Sequence, residues 1–193
     1  MLTFLKERAR ELLKGPVNLF HKIGFTPNIM TFLGLISATL SGILYAIHQS
    51  PVLAASIYII SGLFDMLDGA LAHRFNMATP FGEILDSVTD RYGDGIVLFS
   101  LMYGGLCNVW WGIGAILGSV FVSYTRAKGE SLGLKMSSVG IAERAERILI
   151  ICIASYLEVF VKGAIYYSII LLTILTHFTV LQRVYHLWKN VSN

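Results

Sequence analysis

The sequence predicts an all-α integral membrane protein: six transmembrane helices plus an N-terminal interfacial amphipathic helix. Three observations predict it. Hydrophobic residues make up 55% of the 193 residues and charged ones only 14%, and the mean hydropathy is +0.66; such a balance belongs to chains embedded in lipid. The apolar residues fall into six runs, each near the ~20 residues that cross a bilayer as a helix. The cations gather on alternate links, which is the pattern of the positive-inside rule. One membrane domain over 1–193 is expected, with an interfacial helix at 1–22 and a six-helix core at 27–187.

In the first segment, Leu2, Phe4, Leu5, Ala9, Leu12 and Leu13 fall roughly on one side, and Lys6, Arg8, Arg10 and Lys14 on the rest. A helix divided this way lies in the membrane interface. This end is charged throughout and has no apolar stretch followed by a small-residue cleavage site, so no cleavable signal peptide is expected. Thr26-Pro27-Asn28 opens the first span, about 27–48, with a proline in the first helical turn. The later spans are read at about 51–72, 83–105, 108–128, 143–161 and 163–187. The links at 48–51, 104–108 and 158–163 are short; those at 73–82 and 127–142 are longer and polar. Neither internal repeats nor low-complexity tracts are visible.

Charge sets the orientation. Lys6, Arg8, Arg10, Lys14, Lys22, Arg74, Arg126, Lys128, Lys135, Arg144, Arg147, Arg183 and Lys189 all fall on one side, and only Lys162 on the other. Both termini and the polar ends of spans two and three are therefore expected at the cytoplasmic face of the cell membrane. Trp110, Trp111 and Trp188 stand at span ends, as an aromatic belt requires. Gly114 and Gly118 make a small-residue face suited to helix packing, within the chain or between two copies. Cys107 and Cys152 form neither a metal-ligand spacing nor a disulfide framework, and the lone His48 and His177 read as packing. The net charge of +3 is modest, and no nucleic-acid partner is expected.

The chemistry-bearing residues are four aspartates in apolar surroundings. Asp65 and Asp68 are three apart at the end of span two; Asp86 and Asp90 are four apart at the start of span three. Each pair shares a helix face, and an antiparallel hairpin brings the pairs together. Unpaired buried carboxylates are too costly to keep for structure, so the cluster reads as a site for divalent cations. Hard oxygen donors suit Mg²⁺, Mn²⁺ or Ca²⁺ over zinc or copper, and four carboxylates can hold two ions that neutralise a diphosphate. Gly69 and Gly82 allow close approach of a substrate. Asp94 continues the stripe and reads as a polar partner behind the site, paired with Arg91.

The spacing resembles the CDP-alcohol phosphotransferase signature D-x2-D-G-x2-A-R-x8-G-x3-D-x3-D. Asp65, Asp68, Gly69, Ala72, Gly82, Asp86 and Asp90 meet seven of its eight fixed positions; His73 stands in the arginine position, with Arg74 beside it. The resemblance implies a six-span fold, a homodimer and two Mg²⁺ or Mn²⁺ ions. It implies metal binding by Asp65, Asp68, Asp86 and Asp90, with Asp90 also the catalytic general base. It also implies CDP contacts from Asp68, Gly69, Ala72, Gly82 and His73 or Arg74. An acceptor hydroxyl would attack the lipid-side phosphorus of a CDP-linked lipid and release CMP. The lipid could be CDP-diacylglycerol or CDP-archaeol.

The acceptor is read from the arginines. Ser123 and Arg126, Arg144 and Arg147, and Arg183 come from spans four, five and six. An arginine inside a span is costly unless paired or facing a polar cavity, and several together suit a phosphate dianion. The stretches Ser-Tyr-Thr-Arg-Ala-Lys and Glu-Arg-Ala-Glu-Arg resemble the branch of the family that accepts inositol phosphate. Glycerol 3-phosphate or another alcohol is the alternative acceptor. A divalent-cation or proton-coupled transporter is the alternative of a different class, but the carboxylates sit at one membrane boundary and form no path through it.

Overall fold

The computed structural model describes residues 13–137 and 139–191. Among these are seven helices and no strand: α1 (Lys14–Lys22), α2 (Pro27–Ala46), α3 (Pro51–Arg74), α4 (Pro80–Tyr103), α5 (Val109–Ser131), α6 (Arg144–Leu157) and α7 (Ala164–Val191). The amphipathic reading of residues 1–12 lies outside the described residues.

Three helix starts are hydroxyl–proline pairs. Thr26, Ser50 and Thr79 each accept a hydrogen bond from the N–H three residues on, at 3.4, 3.5 and 3.0 Å. Pro27, Pro51 and Pro80 follow them in the first turn. The missing N–H of proline would have had no partner there, and its fixed φ suits a helix. Asn108 caps α5 through the Trp110 N–H at 2.9 Å. The third span therefore begins at Pro80 rather than at 83, and α3 continues past its expected end to Arg74. The link between them is only 75–79, turned by Asn76 at a φ of 51°.

Among the described residues, α2, α3 and α7 are long and apolar enough to cross a membrane. α4 carries Glu83, Asp86, Asp90, Arg91 and Asp94, so its continuous apolar part is its C-terminal half. α6 has 14 residues against the expected 143–161, and at 1.5 Å per residue it spans only about 21 Å. It stops at Leu157, and a turn leads to Gly163, whose φ of 87° suits glycine. Glu158 fixes that turn by accepting from the N–H groups of Gly163 and Ile165 at 2.7 and 2.8 Å.

The six long helices close a ring in the order α2, α3, α6, α7, α5, α4 and back to α2. Its interior is lined by small and hydroxyl side chains together with apolar ones. Ser41 donates to the Ala54 carbonyl at 2.7 Å, Ser61 to the Gly34 carbonyl at 2.8 Å, and Tyr45 meets Ser155 at 2.7 Å. Large apolar side chains such as Ile36, Phe99, Phe121, Ile153 and Ile174 face outward. This distribution suits lipid as the solvent, where close packing and interhelical hydrogen bonds hold helices together. Trp110, Trp111 and Trp188 are exposed near helix ends, and Cys107 and Cys152 are buried free thiols. α1 lies across the end of α3, with Val17 buried against Leu67 and Leu71.

The Gly114–Gly118 face is used within the chain. Gly114 abuts Thr173 and Gly118 abuts Thr176, both on α7. A Cβ added at Gly118 would lie 2.8 Å from the Cβ of Thr176, an atom that no rotamer change can move. Gly118→Ala is expected to push α5 from α7 and cost about 1–3 kcal/mol of stability. Thermal unfolding in detergent checks this: an unchanged midpoint would show that the two helices are not this close.

Candidate active site

The last three turns of α3 carry Asp65, Asp68, Gly69 and Ala72, and the first turns of α4 carry Gly82, Asp86, Asp90 and Asp94. One oxygen from each of Asp65, Asp68 and Asp86 lies within 4.8 Å of the others. Asp90 joins them through a cation. Nη1 of Arg144, on α6, is 2.8 Å from Asp65 Oδ1 and 2.7 Å from Asp90 Oδ1. The four expected carboxylates thus form a group of three with a fourth bridged to it by a guanidinium.

Two neighbours shape the group. Thr31 of α2 donates to Asp68 Oδ2 at 2.8 Å. Asp86 Oδ1 is buried without a hydrogen-bond partner, and a charged oxygen left in that state is costly. The residues fit a divalent metal: the donors are all hard oxygens, their spacing lets one ion reach all three, and the orphaned oxygen is one that an ion would satisfy.

Behind the cluster, Asp94 accepts from Arg147 Nη2 at 2.5 Å and from the Tyr58 hydroxyl at 3.1 Å, and Arg144 Nε lies 3.4 Å away. The expected partner, Arg91, instead donates to the carbonyl of Ser87 on its own helix. The reason is reach: Arg91 turns back along α4, whereas α6 aims two guanidinium groups across at Asp94.

A cavity of about 430 Å³ opens on one side of the cluster. Its walls include Asp68, Gly69, Ala72, Gly82 and Asp86, with Asn28 and Thr31 from α2. A Cβ on Gly69 would meet nothing within 4 Å, so this wall is open to a bound molecule. His73 and Arg74 are exposed on the last turn of α3 and do not line the cavity. Arg74 is turned about 180° from Asp65 on the helix, and the exposed His73 lies one turn past Gly69.

A second cavity of about 100 Å³ lies on the other side. Ser123, Arg126, Arg144, Arg147 and Arg183 all line it, as the sequence predicts, together with Arg91. Five arginines face three carboxylates there, Asp90, Asp94 and Glu143, and this excess suits an anion. Arg183 is fully buried and donates to the carbonyls of Val139 at 2.8 Å and Val122; its Nη2 lies 3.4 Å from Glu143. Thr179, one turn earlier, accepts from the N–H groups of Ile141 and Ala142 at 3.3 and 3.1 Å. α7 thereby fixes the link that launches α6, and with it the positions of Arg144 and Arg147. Arg126 is half-exposed and pairs with Glu130 at 2.9 Å.

Sequence reasoning did not single out Thr31, Tyr58, Glu143 or Thr179. Thr31 and Asp68 are 37 residues apart, and no spacing rule links them. Glu143 was the more legible, since it directly precedes Arg144 at a helix start.

Comparison with known proteins identifies relatives of this chain. Residues 25–181 match the profile of the CDP-alcohol phosphatidyltransferases. The chain is 36% identical over 194 aligned positions to archaetidylinositol phosphate synthase of Pyrococcus horikoshii, covering 100% of this chain and 99% of that one. It is 38% identical over 176 positions to the enzyme of the same name from Methanothermobacter thermautotrophicus, covering 89% and 87%. Phosphatidylinositol phosphate synthase of Mycobacterium tuberculosis, crystallised with CDP-DAG, superposes with a TM-score of 0.78 at 27% identity, covering 90% of this chain and 92% of that one. The same protein has been crystallised with manganese and citrate, and that form superposes equally well. The chain belongs to the CDP-alcohol phosphatidyltransferase family.

Proposed function

We propose that this protein transfers a phosphatidyl-type group from a CDP-linked lipid to a hydroxyl of inositol phosphate, releasing CMP, with Mg²⁺ or Mn²⁺ as cofactor. The observation that carries the reading is the carboxylate cluster set between two unlike cavities. One is roomy and partly apolar, walled by the motif glycines; the other is small and lined by arginines. The first suits the CDP-lipid and the second a phosphorylated acceptor. The relatives named above are archaetidylinositol phosphate and phosphatidylinositol phosphate synthases, and one was crystallised with CDP-DAG bound.

Asp65, Asp68 and Asp86 would hold metal, with Asp90 at its edge. The metal, when bound, neutralises the diphosphate. Asp68, Gly69, Ala72 and Gly82 would line the CDP side, with His73 or Arg74, exposed at the end of α3, reaching the CDP from its rim. Ser123, Arg126, Arg144, Arg147 and Arg183 would hold the acceptor phosphate. Asp90 borders both the carboxylate group and the arginine cavity, so it can take the proton of an acceptor hydroxyl. That oxygen then bonds to the lipid-side phosphorus as the bond to CMP breaks. Positioning and charge neutralisation supply most of the rate in such transfers.

The membrane arrangement extends the same reading. We place α2 to α7 in the cell membrane as one domain, with α6 reaching only part of the way across, α1 in the interface and the site and the two chain ends on the cytoplasmic side. Arg74, Arg126, Lys128, Arg144 and Lys189 at one end of the bundle, against Lys162 at the other, support that orientation. A homodimer is the proposed assembly.

The direct experiment incubates purified protein with CDP-diacylglycerol or CDP-archaeol and a panel of alcohols, following CMP and lipid product. Inositol phosphate is expected to give both, and only with divalent metal; CMP release with every acceptor except inositol phosphate would reassign the substrate.

Asp65→Asn, Asp68→Asn and Asp86→Asn are each expected to abolish transfer and weaken Mn²⁺ binding. A variant with near-parental rate would remove that residue from the metal site. Asp90→Asn should lower turnover by on the order of 10²–10⁴ while CDP-lipid affinity changes much less. Equal losses in both would point to a ligand role alone.

Arg126→Gln is expected to raise the KM for inositol phosphate about tenfold and leave that for the CDP-lipid unchanged, since a charge-assisted bond contributes ~1.5–3 kcal/mol and this residue is half-exposed. Steady-state kinetics with each substrate varied in turn decides it. Arg183→Gln should also lower the melting temperature, because it removes bonds to two backbone carbonyls.

A further inference from the structure

Among the described residues, Arg144 is the one arginine that lines both the carboxylate pocket and the arginine cavity. Its Nη1 sits between Asp65 and Asp90 at 2.8 and 2.7 Å, yet it is buried and makes no directed hydrogen bond to either. Close ionic contact alone holds it there. Nε lies 3.4 Å from Asp94, which Arg147 and Tyr58 fix in place. The guanidinium is therefore tethered at one end and held only by charge at the other. Arg147 is the contrast: it is locked by Asp94 at 2.5 Å and by the Ala142 carbonyl at 3.2 Å.

We infer that Arg144 is shared between the two subsites. It neutralises Asp65 and Asp90; a divalent ion bound by the carboxylate group would displace it toward the arginine cavity, where it joins the acceptor phosphate. The inference rests on the metal-dependent transfer proposed above and adds an order to it. A divalent ion and a guanidinium repel each other and would compete for Asp65, with Asp90 at the edge of the ion's site. Once displaced, the guanidinium stays tethered beside Asp94, on the wall of the cavity that would receive the phosphate. Metal and acceptor phosphate both favour the same displaced position, so each tightens the other's binding.

Mn²⁺ titration of the purified full-length chain, followed by electron paramagnetic resonance without lipid substrate, tests this. Arg144→Gln removes the competitor and is expected to bind Mn²⁺ about tenfold more tightly than the parent. Arg126→Gln, which removes a charge from the same cavity but not from the carboxylates, is expected to change the affinity less than twofold. In the parent, saturating Mn²⁺ should tighten inositol phosphate binding at least fivefold, and Arg144→Gln should lose most of that gain. If Arg144→Gln does not fold without metal, Arg144→Lys serves in its place. Lysine keeps the charge but loses the tether, and a several-fold gain in Mn²⁺ affinity is expected. Unchanged Mn²⁺ affinity in the Arg144 variants, or an equal gain in Arg126→Gln, overturns the shared role. Parent protein whose Mn²⁺ binding survives Asp68→Asn would instead overturn the metal site on which it depends.

Discussion

The guanidinium of Arg147 lies 2.5 Å from Asp94 in a part of the bundle almost closed to solvent, and that of Arg144 spans Asp65 and Asp90. These pairs tie α6 to α3 and α4 across the ring. Charges so placed cannot be separated cheaply: removing one partner of a buried pair typically costs ~3–5 kcal/mol, because the other is left uncompensated. The start of α6 is therefore held at one height against the carboxylate stripe on α4. α7 holds the same point from the other side, through Thr179 on the backbone of Ile141 and Ala142 and Arg183 on that of Val139. A helix of only 14 residues is positioned by ion pairs and a pinned entry loop as much as by its apolar face.

That placement gives the site its asymmetry. The carboxylates lie at a junction, with the motif glycines opening one wall and the arginines lining the other. A diphosphate approached from the first side and a phosphate monoester held on the second would meet at the carboxylate group, where Asp90 borders the arginine cavity. The same chemistry explains why the site lies at the charged end of an otherwise apolar bundle. Polar substrates would enter from water, while Phe81, Ile84 and Val88 on the outer face of α4 are exposed apolar side chains suited to lipid.

The parts of this arrangement that follow local rules are readable from the chain. Asp65 with Asp68 and Asp86 with Asp90 share faces because helical geometry places residues three and four apart together. The hydropathy pattern marks the helices. Thr79-Pro80 is as clear a start signal for α4 as Thr26-Pro27 is for α2, and it sets that boundary at Pro80. What the sequence does not carry is which helix closes against which. Arg144 reads as an acceptor-site arginine by position, yet it contacts Asp65 and Asp90 because α6 packs beside α3. Asp94 reads as a partner of Arg91 by proximity along α4, yet its partners come from α3 and α6. His73 and Arg74 share the motif with Ala72, yet both are exposed and neither lines the cavity.

The most direct test of the central claim, that the carboxylates hold a divalent ion at the junction of the two cavities, is anomalous diffraction from crystals grown with Mn²⁺ and a CDP-linked lipid. Anomalous density is predicted within about 2.0–2.3 Å of carboxylate oxygens of Asp65, Asp68 and Asp86, with Arg144 Nη1 withdrawn from between Asp65 and Asp90. Density confined to other sites, or none among these carboxylates with CDP-lipid bound, would contradict the account.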